Sequence, residues 1–149
     1  MDKEAKIAHL GFIQGVINRM GGNSFLVKGW TVALVAAIFA LASKDANQSF
    51  IYIALLPIIV FWFLDAYYLH QESLFRELYA AVANDLISSN IFTMDTKPLK
   101  GKVRSILHLA FTISIFPFYL LVTGILIAVA IKSGIEFDLI FFANLCPKK

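Results

Sequence analysis

FIYIALLPIIVFWFLDAYYLHQESLFRELYAAVANDLI, residues 50–87, is the stretch whose reading decides the fold. Its first part, 50–69, is almost unbroken apolar sequence and matches the ~20 residues needed to cross a ~30 Å hydrocarbon core. Asp65 is the one charge in it, and Pro57, which removes an intrahelical hydrogen bond, predicts a kink that a membrane helix tolerates. Beyond His70 the pattern changes. Phe75, Tyr79, Val82 and Leu86 recur on one helical face with Leu74 and Leu78 beside it, while Glu72 and Arg76 form an acid-first i,i+4 pair. Neither glycine nor proline separates the two parts. The reading is one long helix that leaves the bilayer and projects about 25–30 Å into the aqueous phase.

Working outward, residues 25–42 form a second apolar block that pairs with 50–69 as a transmembrane hairpin spanning 25–69. Residues 106–132 form a third crossing with Pro117 near its middle. Before the hairpin, 1–22 reads as an amphipathic helix. Ile7, Leu10, Ile13, Ile17 and Met20 share a face, and Lys6, Gln14, Asn18 and Arg19 occupy the others. Gly21-Gly22 is expected to stop this helix, with Asn23 and Ser24 capping the next. It is expected to lie on the membrane surface, on a partner, or over the protein's own cytoplasmic end. The linker region 70–105 holds the helical extension, a short alternating stretch at 91–95 that reads as extended, and a turn around Lys97-Pro98. The tail, 133–149, is too short and too charged to span, and reads as interfacial.

Composition agrees with lipid as the solvent. Of 149 residues 59% are hydrophobic and 15% charged, against about 25% charged in soluble domains; the mean hydropathy is +0.75. The net charge of +3 flanks the apolar blocks instead of forming a basic face, which fits lipid headgroups and argues against nucleic acid. No signal-peptide pattern precedes the first block, so the spans are expected to act as their own insertion signals. With three crossings, Lys3, Lys6, Arg19, Lys28, Arg76, Lys97, Lys100, Lys102 and Arg104 share one side, and Lys44, Lys132, Lys148 and Lys149 the other. The positive-inside rule then puts the N-terminus in the cytoplasm of a multi-pass protein. The expected fold class is all-α and integral to the membrane.

Asp65 leads the candidate functional residues, because an ionisable group in an apolar span costs about 2.5–3.5 kcal/mol at the bilayer centre. In an antiparallel hairpin Lys28 falls at nearly the same depth, and the two are expected to pair. The pair either fixes the register of the hairpin or takes part in gating or ion coordination. Trp30 and Trp62 are expected beside it as interfacial aromatics. Gly29, Ala33 and Ala37 on the first span, and Gly124 and Ala128 on the third, are small residues at four-residue spacing. They allow close helix approach, within the monomer or between subunits, and a homo-oligomer is expected. Phe75, Arg76, Tyr79, Val82 and Leu86 form the expected platform for a partner or signal.

Catalytic signatures are absent. There is no Gly-x-Ser-x-Gly, HExxH or Walker-type loop, so no enzyme activity and no cofactor are expected. His9, His70 and His108 make no recognised ligand spacing, and no metal site is expected. Cys146, the one cysteine, lies in the tail and forms no internal disulfide.

Two further runs carry a resemblance. Asn23 to Val32 (NSFLVKGWTV) with Ala40 to Asp45 (ALASKD), and Phe61 to Tyr68 (FWFLDAYY) followed by Glu72 and Leu74-Phe75-Arg76, resemble a family of small bacterial multi-helix membrane proteins. Some members of that family are encoded beside TIR-like anti-phage defence proteins. The resemblance covers about the first 80 residues. It implies an inner-membrane defence effector in which a nucleotide signal or a neighbouring gene's product engages the cytoplasmic helices, subunits assemble and the membrane is breached. Lys28, Trp30, Trp62 and Asp65 would belong to its shared membrane-interface core. The reading from another class is a non-catalytic anchor or scaffold for a soluble partner enzyme.

Overall fold

The computed structural model describes residues 3–45 and 49–132; the tail 133–149, with Cys146, lies outside the described residues. Those residues are helical, with no strand among them. Helix α1 runs Lys3–Asp45 and α2 runs Ser49–Ala83, about 65 and 50 Å long at 1.5 Å per residue. They form an antiparallel hairpin packed along its length. On α1 the seam is His9, Ile13, Ile17, Met20, Ser24, Val27, Thr31 and Val35, spaced by three and four. On α2 it is Ala54, Ile58, Asp65, Ala66, Leu74, Leu78 and Val82. A heptad-like spacing of this kind keeps one stripe facing the partner helix over many turns.

The seam explains the largest departure from the sequence reading. Gly21-Gly22 does not stop a helix: α1 passes through both residues without a break. Each glycine weakens a helix interior by about 1 kcal/mol, but Ile17 and Met20 before them and Ser24 and Val27 after them stay in phase on α2. Packing outweighs propensity. A Cβ added at Gly22 meets nothing within 4 Å, and one at Gly21 meets the Glu72 carboxylate at 3.6 Å. Gly22→Ala is therefore expected to stabilise the protein by about 0.5–1 kcal/mol. Thermal unfolding in mild detergent measures this, and a lowered midpoint would count against a continuous helix.

Helix α2 is the long single helix read from its sequence, ending four residues earlier than expected. Asp85 adopts a left-handed conformation with φ 60°. Its N–H bonds to the Val82 carbonyl, and that of Leu86 bonds to the Ala81 carbonyl, the paired bonds of a Schellman C-cap. Lys6 of α1 completes the end, donating to the Ala83 carbonyl at 2.7 Å and to Asp85 Oδ1 at 2.8 Å. A cation there also meets the negative end of the helix dipole.

The connection back is irregular. Short 3-10 turns occupy Ser89–Ile91 and Lys97–Lys102, so 91–95 is not the expected extended stretch. Phe92, with φ 46°, turns the chain over His9, and the Asp95 carboxylate accepts from the Lys97 N–H at 2.9 Å. Leu99 buries itself against the α1–α2 extension.

The stretch 106–132 is likewise not one helix. Helix α3 covers Ile106–Ala110, turns follow to Ile115, and α4 covers Phe116–Lys132. Pro117 falls in the first turn of α4, not mid-helix. A missing N–H costs nothing there, because the first turn has no intrahelical acceptor for it. Tyr119, Val122, Leu126 and Ala130 face inward from α4. Two buried clusters result. One joins Val35, Ala54, Ile58 and Ala66 to α3 and α4, and the other joins Ile13 and Ile17 to Leu78, Val82 and Leu99.

The outer surface is apolar around the first cluster. Phe25, Leu26, Trp30, Val32 and Leu41 of α1, Ile53, Leu56, Val60 and Phe63 of α2, and Leu120, Leu121, Ile125 and Ile131 of α4 are all exposed. Two helices, α1 and α2, are long and apolar enough to cross a membrane, and α4 is a shorter apolar helix.

Candidate functional site

A polar group of side chains lies where the two clusters meet. Asp65, midway along α2, is fully buried. Ser24 and Lys28 stand one turn apart on α1, so both reach the same carboxylate. Ser24 Oγ donates to Asp65 Oδ1, Lys28 Nζ lies 2.5 Å from Oδ2, and Nζ also donates to Ser24 Oγ at 3.0 Å. Lys28 keeps 22% of its side-chain exposure, while its ammonium turns in to the buried carboxylate.

Around this triad the remaining polar groups are closed off. Thr31 is fully buried and returns its hydroxyl to the Val27 carbonyl at 2.8 Å. Tyr119 of α4 donates to the Phe61 carbonyl at 3.0 Å, its hydroxyl alongside Thr31 and Asp65. Trp62 donates from Nε1 to the Ala110 carbonyl at 2.8 Å, and its ring meets Phe111 edge-on at 5.1 Å. That bond ties α2 to the end of α3. The carboxylate is thus neutralised by one cation and hydrogen-bonded by one hydroxyl.

The other sequence-derived candidates separate. Trp30 is 61% exposed and points away from the inward-turned Trp62, so the two tryptophans do not form one pair. Gly29, Ala33 and Ala37 of α1 and Gly124 and Ala128 of α4 all lie on exposed faces, and nothing stands within 4 Å of a Cβ placed at Gly29 or Gly124. Packing within the monomer does not use them. The platform face is largely occupied by the protein itself. Val82 is fully buried, and Phe75 and Tyr79 are half-buried against Ile13, Ile17 and Leu10. The N-terminal part of α1 covers this face, so of the expected platform only Leu86 and Arg76 remain exposed. The Arg76 guanidinium is held by Glu72 at 2.7 and 2.9 Å.

The histidines also stay apart. His9 is buried, bonded through Nε2 to the Thr93 carbonyl at 2.9 Å; His70 approaches the Arg104 carbonyl, and His108 the Arg104 side chain. Among the described residues no three His, Cys, Asp or Glu side chains gather to hold a metal.

Sequence reasoning placed Ser24 as a cap, and missed both it and Tyr119 as neighbours of Asp65. The signal for Ser24 was its i,i+4 spacing to Lys28. Tyr119 gave none, because its position depends on the break between α3 and α4. Comparison of the chain with protein-family models, with curated proteins and with solved structures finds no match.

Proposed function

We propose that this chain is an integral membrane protein that couples an event at its cytoplasmic hairpin to its membrane-spanning helices, acting as a homo-oligomeric effector without catalysis. The observation that carries the reading is continuity: α1 and α2 each run unbroken from the exposed apolar belt into the polar extension. Movement of the extension is transmitted to the spans, because no hinge separates them. The belt supports lipid as its cover, since an apolar surface this extensive on a monomer must be covered by lipid or a partner. In this reading the spans comprise the apolar parts of α1 and α2 together with α4, whose 17 residues fall at the short end of the ~17–25 that cross a bilayer. The positive-inside rule supports an N-terminus in the cytoplasm, at a bacterial inner membrane in this reading.

The exposed small residues Gly29, Ala33, Ala37, Gly124 and Ala128 are the subunit contacts of this reading, as close helix approach in lipid uses such residues. The trigger, a neighbouring gene's product or a nucleotide signal of a defence system, rests on the family resemblance. The Lys28–Asp65 pair serves as the register lock of each hairpin.

Membrane potential tests the proposal directly. Cells expressing the chain with its genomic neighbours are expected to depolarise, and cells expressing it alone to hold their potential. A steady potential in both, with the neighbour's product recruited to the membrane, would establish an anchor instead.

A further inference from the structure

A groove of about 520 Å³ opens between α1 and α2, lined by Arg19 and Met20 on one side, Tyr67, Tyr68, Gln71 and Phe75 on the other, with Met94 at its edge. Its polar groups can each donate a hydrogen bond: a guanidinium, phenol hydroxyls and a carboxamide. Arg19 is exposed, and among the described residues no carboxylate or carbonyl engages it. Arg76 is on Glu72, Lys28 on Asp65 and Lys6 on Asp85. Arg19, like the lysines of the 97–102 turn, carries no ion pair among the described residues, but it alone of these open cations lies against the aromatic wall of this groove. Tyr67 and Tyr68 contact each other edge-on, with ring centroids 5.8 Å apart.

Position narrows the ligand. After the isolated exposed Ile7 and Phe12, the continuous exposed apolar face of α1 begins at Phe25 and Leu26. Arg19 lies six residues earlier, about 9 Å along the axis, and the headgroup layer extends roughly 5–8 Å beyond the hydrocarbon on each side. A long arginine side chain spans the remainder. The groove therefore opens at the depth of lipid phosphates. Its apolar floor of Met20, Phe75 and Met94 suits the glycerol backbone and upper acyl carbons.

We propose that this groove binds the phosphodiester headgroup of an anionic phospholipid, with Arg19 on the phosphate and Tyr67, Tyr68 and Gln71 donating to the remaining headgroup oxygens. Arginine is suited to the phosphate because its planar fork donates two parallel hydrogen bonds. The inference rests on the membrane reading above. It adds a specific lipid partner to each hairpin, bound at the point where the spans become the cytoplasmic extension.

The test is native mass spectrometry of the full chain released from nanodiscs containing equal dioleoyl phosphatidylglycerol and dioleoyl phosphatidylcholine. Wild type is expected to retain phosphatidylglycerol over phosphatidylcholine by about fivefold or more, and Arg19→Gln to lose that preference. Arg76→Gln removes the same charge from a guanidinium already held by Glu72 and is expected to keep the preference. Equal losses in both variants would reduce the effect to diffuse electrostatics and overturn the site. Binding of inorganic phosphate or ADP that displaces no phosphatidylglycerol, with no lipid preference, would assign the groove to a soluble anion and also overturn it. Resistance of the chain to alkaline extraction from membranes separates the readings. An extractable chain removes both, whereas an embedded chain without an Arg19 effect removes only the lipid site.

Discussion

Lys28→Ala is expected to destabilise the protein by about 3 kcal/mol or more, because truncating one partner of a buried ion pair leaves the other charge without compensation. Asp65 has no exposure at all, and after the substitution only neutral hydroxyls, chiefly Ser24 Oγ, remain to meet its charge. The residual exposure of Lys28 sets the figure at the lower end of the range measured for buried pairs, ~3–5 kcal/mol. Unfolding in mild detergent, followed by the fluorescence of inward-turned Trp62, reads the change. Lys28→Asp combined with Asp65→Lys is expected to return part of the loss, since charge is rebalanced but lysine and aspartate differ in reach. Lys28→Leu with Asp65→Leu is expected to return most of it, as apolar residues often replace a buried pair at little cost. Should Lys28→Ala unfold at the wild-type midpoint, the pair contributes nothing and the register argument fails with it.

Leu78→Ala is the second large effect. Leu78 is fully buried between Ile13, Ile17 and Val82, and a leucine-to-alanine cavity in such a cluster costs about 2–5 kcal/mol. The loss is expected to be local. Hydrogen exchange should accelerate over the N-terminal part of α1 and the last turns of α2, while the apolar cluster around Tyr119 stays protected. Leu86→Ala, at a residue 72% exposed, is expected to change stability by less than about 0.5 kcal/mol. Equal effects at Leu78 and Leu86 would mean that the face is a free surface after all.

Parts of this architecture were legible before any coordinates. The run through α2 contains no breaker except Pro57, so its periodicity carries across the change from apolar to amphipathic sequence. Lys28 and Asp65 were read as neighbours from depth alone, and their side chains meet. What the residues concealed was context. Gly21-Gly22 is a breaker by local propensity, and its override comes from a seam fixed by residues on a different helix. The faces at 7–20 and 75–86 each looked unpartnered because each is amphipathic; they are amphipathic because they cover one another. The interruption at 111–115 was hidden for another reason. Its residues are on average as apolar as their flanks, and the end of α3 is marked by bonds that depend on the fold, from Trp62 Nε1 to the Ala110 carbonyl and from the Thr112 hydroxyl to the Leu109 carbonyl.

The location of the two charges has a consequence for biosynthesis. Lys28 and Asp65 both lie on the first two helices, and α3 and α4 contribute neither charge nor counter-charge to the pair. As the chain emerges from the ribosome, the hairpin can close and neutralise itself before α4 has been made. In the membrane reading proposed above, each helix alone would carry an ion that opposes entry into lipid, at a cost of about 2.5–3.5 kcal/mol on insertion scales; zipped together they would enter as one electrically silent unit. The last helix then arrives at a finished surface on α2, which is the shared neighbour of α1, α3 and α4. Nothing in the pair has to wait for the later helices, which allows assembly to proceed from the first hairpin outward.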